Sequence, residues 1–387
     1  MEQEQVLCDG ILPLAGHRIG VTADRRAEEQ GELLRRMGAE VTFGPMLRTL
    51  PLGDDTPLRA ATEALLADPP TMVLLMTGIG VRSWIGAAET WGRAEDLVAM
   101  LSTAPVYARG PKAHAAAVQA GIPVWRREPS ERLDAMVAHL TARSLAGAHL
   151  ALQLYGNDVP WAVKALEEAG ARVTTVPVYR WVPPDDEGPA RRLIREAIDG
   201  QLAAVTFTCP AAARSACRIA DSDGVLDELL GAFESRVAAA CVGPITQEAT
   251  RDLGIQVACS PNVGRLGLLV RSLTTTLRPD HLHLRAPEGE VVVQGSLVAT
   301  ATEHVSLPDR ERQVLAALAR RPGVVVARAT IEREVWGAAT DDSALDAVLA
   351  RVRRRLVPTG LTISTRVRRG FLLEAEAAPC GAMGRAA

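Results

Sequence analysis

An internal repeat runs through the first 280 or so residues of this chain and sharply limits the folds available to it. Three segments recur in the same order, at offsets of 131 to 133 residues. One such match can arise by chance, but three in one order at one offset indicate two similar structural lobes. The matched ranges are 38–48 with 170–180, 77–83 with 208–215, and 110–124 with 243–257.

Short β-type runs alternate with helical runs throughout the repeated region. Residues 18–22, 72–76 and 149–154 are apolar runs of strand length, whereas 28–38 and 161–170 have helical apolar spacing and end in Gly. Glycine commonly follows the last turn of a helix. Strands separated by helices predict parallel sheets covered on both faces, so the expected fold class is α/β, with two parallel-sheet lobes and a cleft between them.

Clefts between lobes are frequent ligand sites, and each repeat offers two turns where a strand passes into a helix. Free N–H groups at helix starts attract anions, and Gly lets an anion approach the backbone. The candidate ligand-binding residues in these turns are Thr77, Gly78, Gly110, Thr208, Cys209, Gly243 and Thr246. Ordinary turns without a ligand are the alternative. Because the segment lacks the third Gly and the following acid of a dinucleotide fingerprint, we exclude NAD binding.

These motifs resemble the uroporphyrinogen-III synthase family over roughly residues 17–278. The matching segments lie at 22–26, 178–180, 207–210 and 242–246. The resemblance implies one discontinuous lobe and one inserted lobe, joined by extended linkers near 45–52 and 177–184. The implied domains are 17–52 with 177–278 for the first lobe and 53–176 for the second, after an N-terminal tail at 1–16.

The resemblance also implies chemistry, in which a linear tetrapyrrole alcohol loses hydroxyl and closes with inversion of its last pyrrole. A hydrogen-bond donor assists departure of the hydroxyl, and the family's usual candidate stands at the position of Tyr179. The alternative is that Tyr179 caps a linker strand. Gly78 and Cys209 replace residues that are commonly Ser in the family, and Tyr155 stands where an Arg could hold an acidic substrate.

The pattern changes after residue 279. Short β-type runs at 281–300 predict a small antiparallel sheet, and three helical segments follow at 309–320, 329–336 and 342–356. Apolar residues of the third helix form one narrow stripe, which leaves Arg351 and Arg354 on the outer face. A hairpin with arginines at its tip follows. The candidate DNA-binding residues are Arg351, Arg353, Arg354, Arg366, Arg368 and Arg369.

Charge is concentrated in this C-terminal region. Residues 305–374 hold 13 Arg and eight acidic residues, a net charge of +5, in a chain whose formal net charge is −3. A localised basic face is typical of proteins that contact nucleic-acid phosphates, whereas a solvated helix face is the alternative for any charge run.

This region resembles the OmpR/PhoB-type winged helix over roughly 281–374, an α+β domain that would be followed by a tail at 375–387. The resemblance implies double-stranded DNA as a partner and, because such domains often bind tandem half-sites, a dimer on DNA. Val367 stands where the family usually has the wing arginine, between Arg366 and Arg368.

No phosphorylatable receiver precedes the winged helix, since the acidic pair that a receiver needs is absent. The leading hypothesis is therefore a transcriptional regulator whose synthase-like segment senses a tetrapyrrole or other anionic small molecule, or docks a protein partner. Because uroporphyrinogen III is a precursor of sirohaem, we expect the genes that this regulator controls to include those of nitrite and nitrate assimilation or other tetrapyrrole-linked genes. The alternatives are an active uroporphyrinogen-III synthase, a lyase, with an attached DNA-binding domain, and an interaction module with a vestigial cleft.

Composition limits the remaining function classes. None of the six cysteines forms a CxxC pair or has a histidine at ligand spacing, so we expect no metal, no cofactor and no disulfide framework. No apolar run approaches the roughly 20 residues that a membrane span needs. We expect a cytoplasmic protein without membrane contact.

Overall fold

The computed structural model describes residues 10–50, 52, 55–156, 158–278, 281–337 and 342–378. The chain forms two compact units. Residues 47–185 make one, here called the inserted unit, and the described residues of 1–46 and 186–387 make the other, the discontinuous unit.

The repeated region alternates strands and helices, as its pattern predicts. Its strands are β1 (Arg18–Val21), β2 (Glu40–Phe43), β3 (Arg48–Leu50), β4 (Met72–Leu75), β5 (Val106–Ala108), β6 (Arg126–Arg127), β7 (His149–Gln153), β8 (Arg172–Val176), β9 (Arg180–Val182), β10 (Ala204–Phe207), β11 (Ala238–Cys241) and β12 (Val257–Cys259). Its helices are α1 (Ala27–Arg36), α2 (Thr56–Ala67), α3 (Gly78–Thr90), α4 (Ala94–Thr103), α5 (Pro111–Gln119), α6 (Leu133–Thr141), α7 (Pro160–Glu168), α8 (Gly188–Ile198), α9 (Pro210–Ser222), α10 (Leu226–Ser235), α11 (Pro244–Arg251) and α12 (Leu266–Leu277).

Each unit contains one five-stranded parallel sheet, and the two sheets have the same topology. The order is β6-β5-β4-β7-β8 in the inserted unit and β12-β11-β10-β1-β2 in the discontinuous unit. Each sheet therefore joins the first two strands of one sequence repeat to the last three of the other. This confirms the prediction of two similar α/β lobes.

The strands are buried because helices cover the sheets. Every residue of β7 is buried, and Val73, Leu74 and Leu75 of β4 have no exposed surface. Continuous apolar runs of this kind are typical of parallel strands covered on both faces. The predicted linker segments contain β3 and β9, which pair antiparallel within the inserted unit, with Thr49 opposite Trp181.

The C-terminal region forms the expected α+β domain within the discontinuous unit. Its strands are β13 (His281–Ala286), β14 (Gly289–Gln294), β15 (Leu297–Ala299), β16 (His304–Ser306), β17 (Val325–Val326), β18 (Ile363–Arg366), β19 (Gly370–Leu373) and β20 (Glu376–Ala377), and its helices are α13 (Asp309–Ala319), α14 (Arg328–Trp336) and α15 (Asp342–Leu356). One sheet has the order β16-β15-β14-β13-β20, and the second, β17-β19-β18, carries the wing hairpin.

The apolar stripe predicted for the third helix lies in the core of this domain. Its members are at most 5% exposed, and they pack with residues of α13, α14 and both sheets. They are Leu345, Val348, Leu349, Val352 and Leu356. The pattern thus identified the face of α15 that is buried, and by exclusion the face that is available to a partner.

Two segments that the sequence analysis assigned to tails are part of the fold. Leu14 has no exposed surface, and its N–H donates to the Met37 carbonyl at 2.7 Å. At the other end, β20 extends the β13 sheet through Arg285 and Glu376. Short polar-flanked segments look like tails in a sequence because the partners that order them lie far away along the chain.

Candidate functional site

The first candidate turn of the inserted unit begins helix α3. Thr77 is its N-cap residue, and its Oγ1 accepts a hydrogen bond from the Gly80 N–H at 3.0 Å. The buried amide of Gln153 also supports this turn, because its Oε1 accepts from the N–H groups of Met76 and Thr77, each at 3.1 Å. The turn is therefore held rigidly by β7, the neighbouring strand.

Helix packing explains the glycines of this turn. A Cβ on Gly78 would lie 2.4 Å from the carbonyl oxygen of Lys112 in α5, and one on Gly80 would lie 2.6 Å from Gln153 Oε1. The space left by the missing Ser side chain at position 78 is filled by α5. We expected the absence of a side chain at such glycines to let an anion approach. At Gly78, the space that a side chain would occupy is already filled by the backbone of Lys112.

Tyr179 lies beside this turn. Its hydroxyl is 3.4 Å from Thr77 Oγ1, and its ring packs at 6.3 Å from the ring of Trp181. The side chain is 6% exposed. The structure thus brings together Thr77 and Tyr179, two of the residues selected from the sequence. Gly110, the N-cap residue of α5, follows the neighbouring strand β5.

A cation that sequence reasoning missed lies at the same edge of the sheet. Arg109 follows β5, and its guanidinium carbon lies 4.5 Å from the centre of the Tyr155 ring. Burial lowers the pKa of the Arg109 guanidinium. Electrostatic interactions with Tyr155, Tyr179 and Glu131 act in the opposite direction and raise this pKa, but by less. Tyr155 stands where the family resemblance implies a substrate-holding Arg, and a guanidinium that follows another strand, β5, lies over the ring of this tyrosine.

The corresponding turns of the discontinuous unit are built differently. Cys209 is the N-cap residue of α9 and makes no side-chain cap hydrogen bond, while burial raises the pKa of its thiol. Gly243 is the N-cap residue of α11, on which Thr246 is 4% exposed. Thr208 is half-buried just after β10. These four candidates lie at two helix starts of one sheet edge.

The winged-helix domain exposes part of the predicted DNA-binding set. Ala347, Ala350 and Arg354 of α15 are exposed, as are Arg368 and Arg369 at the wing tip. Arg368 adopts a left-handed backbone conformation with φ of 59°, which turns the chain between β18 and β19. Small residues beside an exposed arginine leave room for close approach to a DNA groove.

Other arginines of α15, among them the predicted DNA-binding residues Arg351 and Arg353, have structural partners. Arg351 and Arg355 form ion pairs with the buried carboxylate of Glu311, at 3.2 and 2.8 Å. Arg353 donates to the Ile363 carbonyl and to Thr365 Oγ1, both at 2.8 Å. These contacts fix α15 against α13 and against the wing, so Arg353 supports the DNA-binding face from within the domain.

The winged-helix domain packs directly on the sheet lobe of the discontinuous unit. Gln313 Nε2 donates to the Asp199 carbonyl at 3.1 Å, and Arg312 donates to the Gly200 carbonyl. Both carbonyls follow the last turn of α8, where helix carbonyls lack partners within the helix. On the other side, Gln294 Nε2 donates to the Leu12 and Ala15 carbonyls at 2.8 and 3.0 Å.

At this junction the backbones of the sheet lobe and the winged-helix domain are in direct contact. The Ser296 N–H donates to the Gly16 carbonyl at 2.8 Å, and a Cβ on Gly16 would lie 2.3 Å from the Gln294 carbonyl oxygen. His17 is buried and stacks on His281 with ring centres 5.6 Å apart. An open pocket of about 380 Å³ also lies at the junction, lined in part by Arg18, Asp309 and Arg355.

Two absences hold for the part of the chain that the structure describes. There, no group of three or more His, Cys, Asp or Glu side chains is arranged to hold a metal ion. Within the same described residues, none of the helices combines the length and apolarity that crossing a membrane requires.

Comparison with known proteins gives the class to which this architecture belongs. Residues 28–270 match the family model described as uroporphyrinogen-III synthase HemD, so the chain belongs to that family. Residues 302–373 match the model for the C-terminal domain of transcriptional regulatory proteins. The chain is thus a uroporphyrinogen-III synthase-family segment fused to a winged-helix DNA-binding domain.

Individual relatives match the synthase-family segment. An uncharacterized protein, YjjA of Bacillus subtilis, is 28% identical over 263 residues, which cover 67% of this chain and 96% of the relative. A putative uroporphyrinogen-III synthase of Methanothermobacter thermautotrophicus is 27% identical over 263 residues, covering 66% and 96%. The crystal structure of a mutant uroporphyrinogen III synthase from Thermus thermophilus is 27% identical with a TM-score of 0.58, covering 68% of this chain and 99% of that one.

Proposed function

We propose that this chain is a transcriptional regulator in which the synthase-family segment binds an anionic ligand, with a tetrapyrrole polycarboxylate as the first candidate. The observation that supports this most is the junction, where Arg312 and Gln313 of α13 bond to the carbonyls after α8. A ligand-induced shift of α8 therefore also acts on α13, through these contacts within the discontinuous unit. Allosteric regulation needs such a physical link between two distinct sites.

The DNA arm of the proposal is tested with double-stranded genomic fragments. The full-length protein should retain a small set of fragments at physiological salt, with an affinity that falls as salt rises, because phosphate contacts release counterions. Half-site spacing in those fragments would establish whether the protein binds as a dimer. Failure to retain any fragment, at low or at physiological salt, would refute the proposal.

The regulated genes follow from the ligand. Since the family's product leads to sirohaem, we propose genes of nitrite and nitrate assimilation or other tetrapyrrole-linked genes as targets. In a deletion strain, transcripts for nitrite or sulfite reductase should change when nitrate is the nitrogen source. Unchanged transcripts under that condition would remove these genes from the proposal and leave DNA binding untouched.

An active synthase is the second candidate, and one observation favours it. The hydroxyl groups of Tyr179 and Thr77 lie 3.4 Å apart, so a proton donor of the required kind is present in the inserted unit. The test is to give the purified protein hydroxymethylbilane and to identify the product isomer. Type III product formed faster than spontaneous type I closure, and lost in Tyr179→Phe, would establish the enzyme; type I product alone would exclude it.

A further inference from the structure

The edge of the inserted unit holds a half-buried guanidinium, that of Arg109, at a turn where the other sheet has an apolar residue. Arg109 follows β5 directly, and its equivalent in the other sheet, just before the N-cap Gly243 of α11, is Val242. Likewise Tyr155, which follows β7, corresponds to Ala23 after β1. Two sheets of identical strand order thus differ at these positions: one has two apolar residues, and the other has a guanidinium over a phenol ring.

The charge of Arg109 is poorly compensated by the protein. Among the residues that the structure describes, no carboxylate forms an ion pair with it; Glu131 acts on it only at longer range. Its close partner is the side chain of Tyr155, whose ring centre lies 4.5 Å from the guanidinium carbon and whose hydrogen bonding also favours the charged form. A cation–π contact is weaker than a hydrogen-bonded ion pair, and a desolvated cation without an anion destabilises a fold.

The surroundings favour a flat ligand that carries a carboxylate. Tyr155 and Trp181 meet edge to face at 6.4 Å, and Trp181 lies against the backbone of Gly156, where a Cβ would approach the indole ring to 2.4 Å. Thr77 and Tyr179 add hydroxyl groups beside this aromatic wall. Guanidinium groups bind carboxylates through two parallel hydrogen bonds, and a ring face at their back keeps the fork in place.

We propose that Arg109 is the carboxylate-binding residue of the inserted unit, with Tyr155 holding its guanidinium in position for a tetrapyrrole polycarboxylate. This inference rests on the proposed function, because it assigns a residue to the ligand site. It also accounts for the replacement at Tyr155. The family resemblance implies a cation at position 155. Here the cation is Arg109, which follows β5, another strand of the same sheet.

The test compares full-length wild type with Arg109→Val, which introduces the residue found in the twin sheet. Uroporphyrin III, a stable fluorescent octacarboxylate, serves as the probe. Loss of a bidentate ion pair should weaken binding at least tenfold. Arg109→Lys retains the charge without the planar fork and should give an intermediate affinity. Arg127→Val removes one exposed charge from β6 and should bind as wild type does.

A second readout separates ligand binding from a structural role. Without ligand, Arg109→Val should melt at the wild-type temperature or up to about 4 °C higher, since the substitution removes a desolvated charge. A melting temperature several degrees below that of wild type would show that Arg109 is needed by the fold and would overturn the inference. Inorganic phosphate should not displace uroporphyrin III; displacement at similar concentrations would overturn the assignment of a polycarboxylate.

The outcomes distinguish this inference from the proposed function. If wild type and Arg109→Val bind uroporphyrin III equally, the inference fails while ligand binding by the segment stands. If wild type does not bind the probe, the tetrapyrrole part of the proposed function fails. The melting temperatures without ligand then decide whether Arg109 is structural or is a cation that the fold does not require.

Discussion

The two parallel sheets share one strand order and differ in what their edges carry. The inserted unit places Arg109, Tyr155, Tyr179 and Trp181 around the start of α3. The sheet lobe of the discontinuous unit has Val242 and Ala23 at the positions of the first two, and it packs against the DNA-binding domain of the same unit. Since the same topology occurs with both sets, the strand order by itself does not require the polar and aromatic edge. We therefore propose that the two units have separate tasks, ligand binding in the inserted unit and DNA presentation in the discontinuous unit.

Removal of the exposed DNA-binding arginines should give the largest effect. Ala substitution of Arg354, Arg368 and Arg369 together should weaken DNA binding roughly 100-fold and flatten its salt dependence. The reason is that binding with fewer phosphate contacts releases fewer counterions. Fluorescence anisotropy with a retained genomic fragment measures both quantities.

The matched control removes three exposed charges from the inserted unit, at Arg127, Arg143 and Lys164. It should bind DNA nearly as tightly as wild type. Equal losses in the two triple variants would show that net charge governs binding, and the division of tasks between the units would be incorrect.

The junction is tested next by Gly16→Ala. Gly16 has φ of 72°, and its Cβ would meet the Gln294 carbonyl oxygen at 2.3 Å, so a side chain strains the backbone and separates the two surfaces. We expect a loss of about 2–3 kcal/mol in the free energy of unfolding, measured by urea denaturation.

Gly121→Ala is the matched control, because Gly121 has φ of 76° and a Cβ added there would have nothing within 4 Å. It should lose only the backbone penalty of about 1 kcal/mol. If Gly16→Ala lost no more than this control, the close junction would be refuted, and with it the direct link between the segment and the DNA-binding domain.

The pH dependence of stability examines the same junction. Burial, with smaller contributions from His281 and Arg312, lowers the pKa of His17 to about 3 from its ordinary 6.5. The folded state therefore binds this proton more weakly than the unfolded state. The stabilisation is complete above pH 6.5 and decreases as the pH falls from 6.5 towards 3.

We expect a loss of about 1.4 kcal/mol in the free energy of unfolding between pH 7.5 and 5.5 from this residue alone. The difference between wild type and His17→Gln at the two pH values isolates it. An identical pH dependence in both proteins would show that His17 is not buried as a neutral side chain.

The smallest expected effect is on the free energy of unfolding, in variants that compare the helix starts of the two sheet edges. Thr77 caps α3 through its side chain, whereas the N-cap residue of α9 is Cys209, which makes no such bond, and Thr208 precedes it. Thr77→Ala should lower the free energy of unfolding by about 1 kcal/mol, and Thr208→Ala by less. Equal losses would mean that the two turns are supported in the same way.

The sequence predicted the elements whose signals are local. The offset of the repeat indicated twin lobes, and the 3.6-residue period of α15 identified its buried stripe. Arg109 escaped prediction because its significance depends on Tyr155, which is 46 positions away and meets it only through the order of the strands. The packing role of Gly78 escaped for a similar reason, since it depends on the backbone of Lys112 in another helix.

The central claim is that ligand binding in the synthase-family segment changes DNA binding. The most direct measurement is the DNA affinity of the full-length protein at fixed salt, with and without saturating uroporphyrin III. Coupling energies of allosteric proteins predict a change of at least about fivefold in wild type, and no change in Arg109→Val. An unchanged DNA affinity in wild type, with the porphyrin bound according to its own fluorescence, would contradict the account.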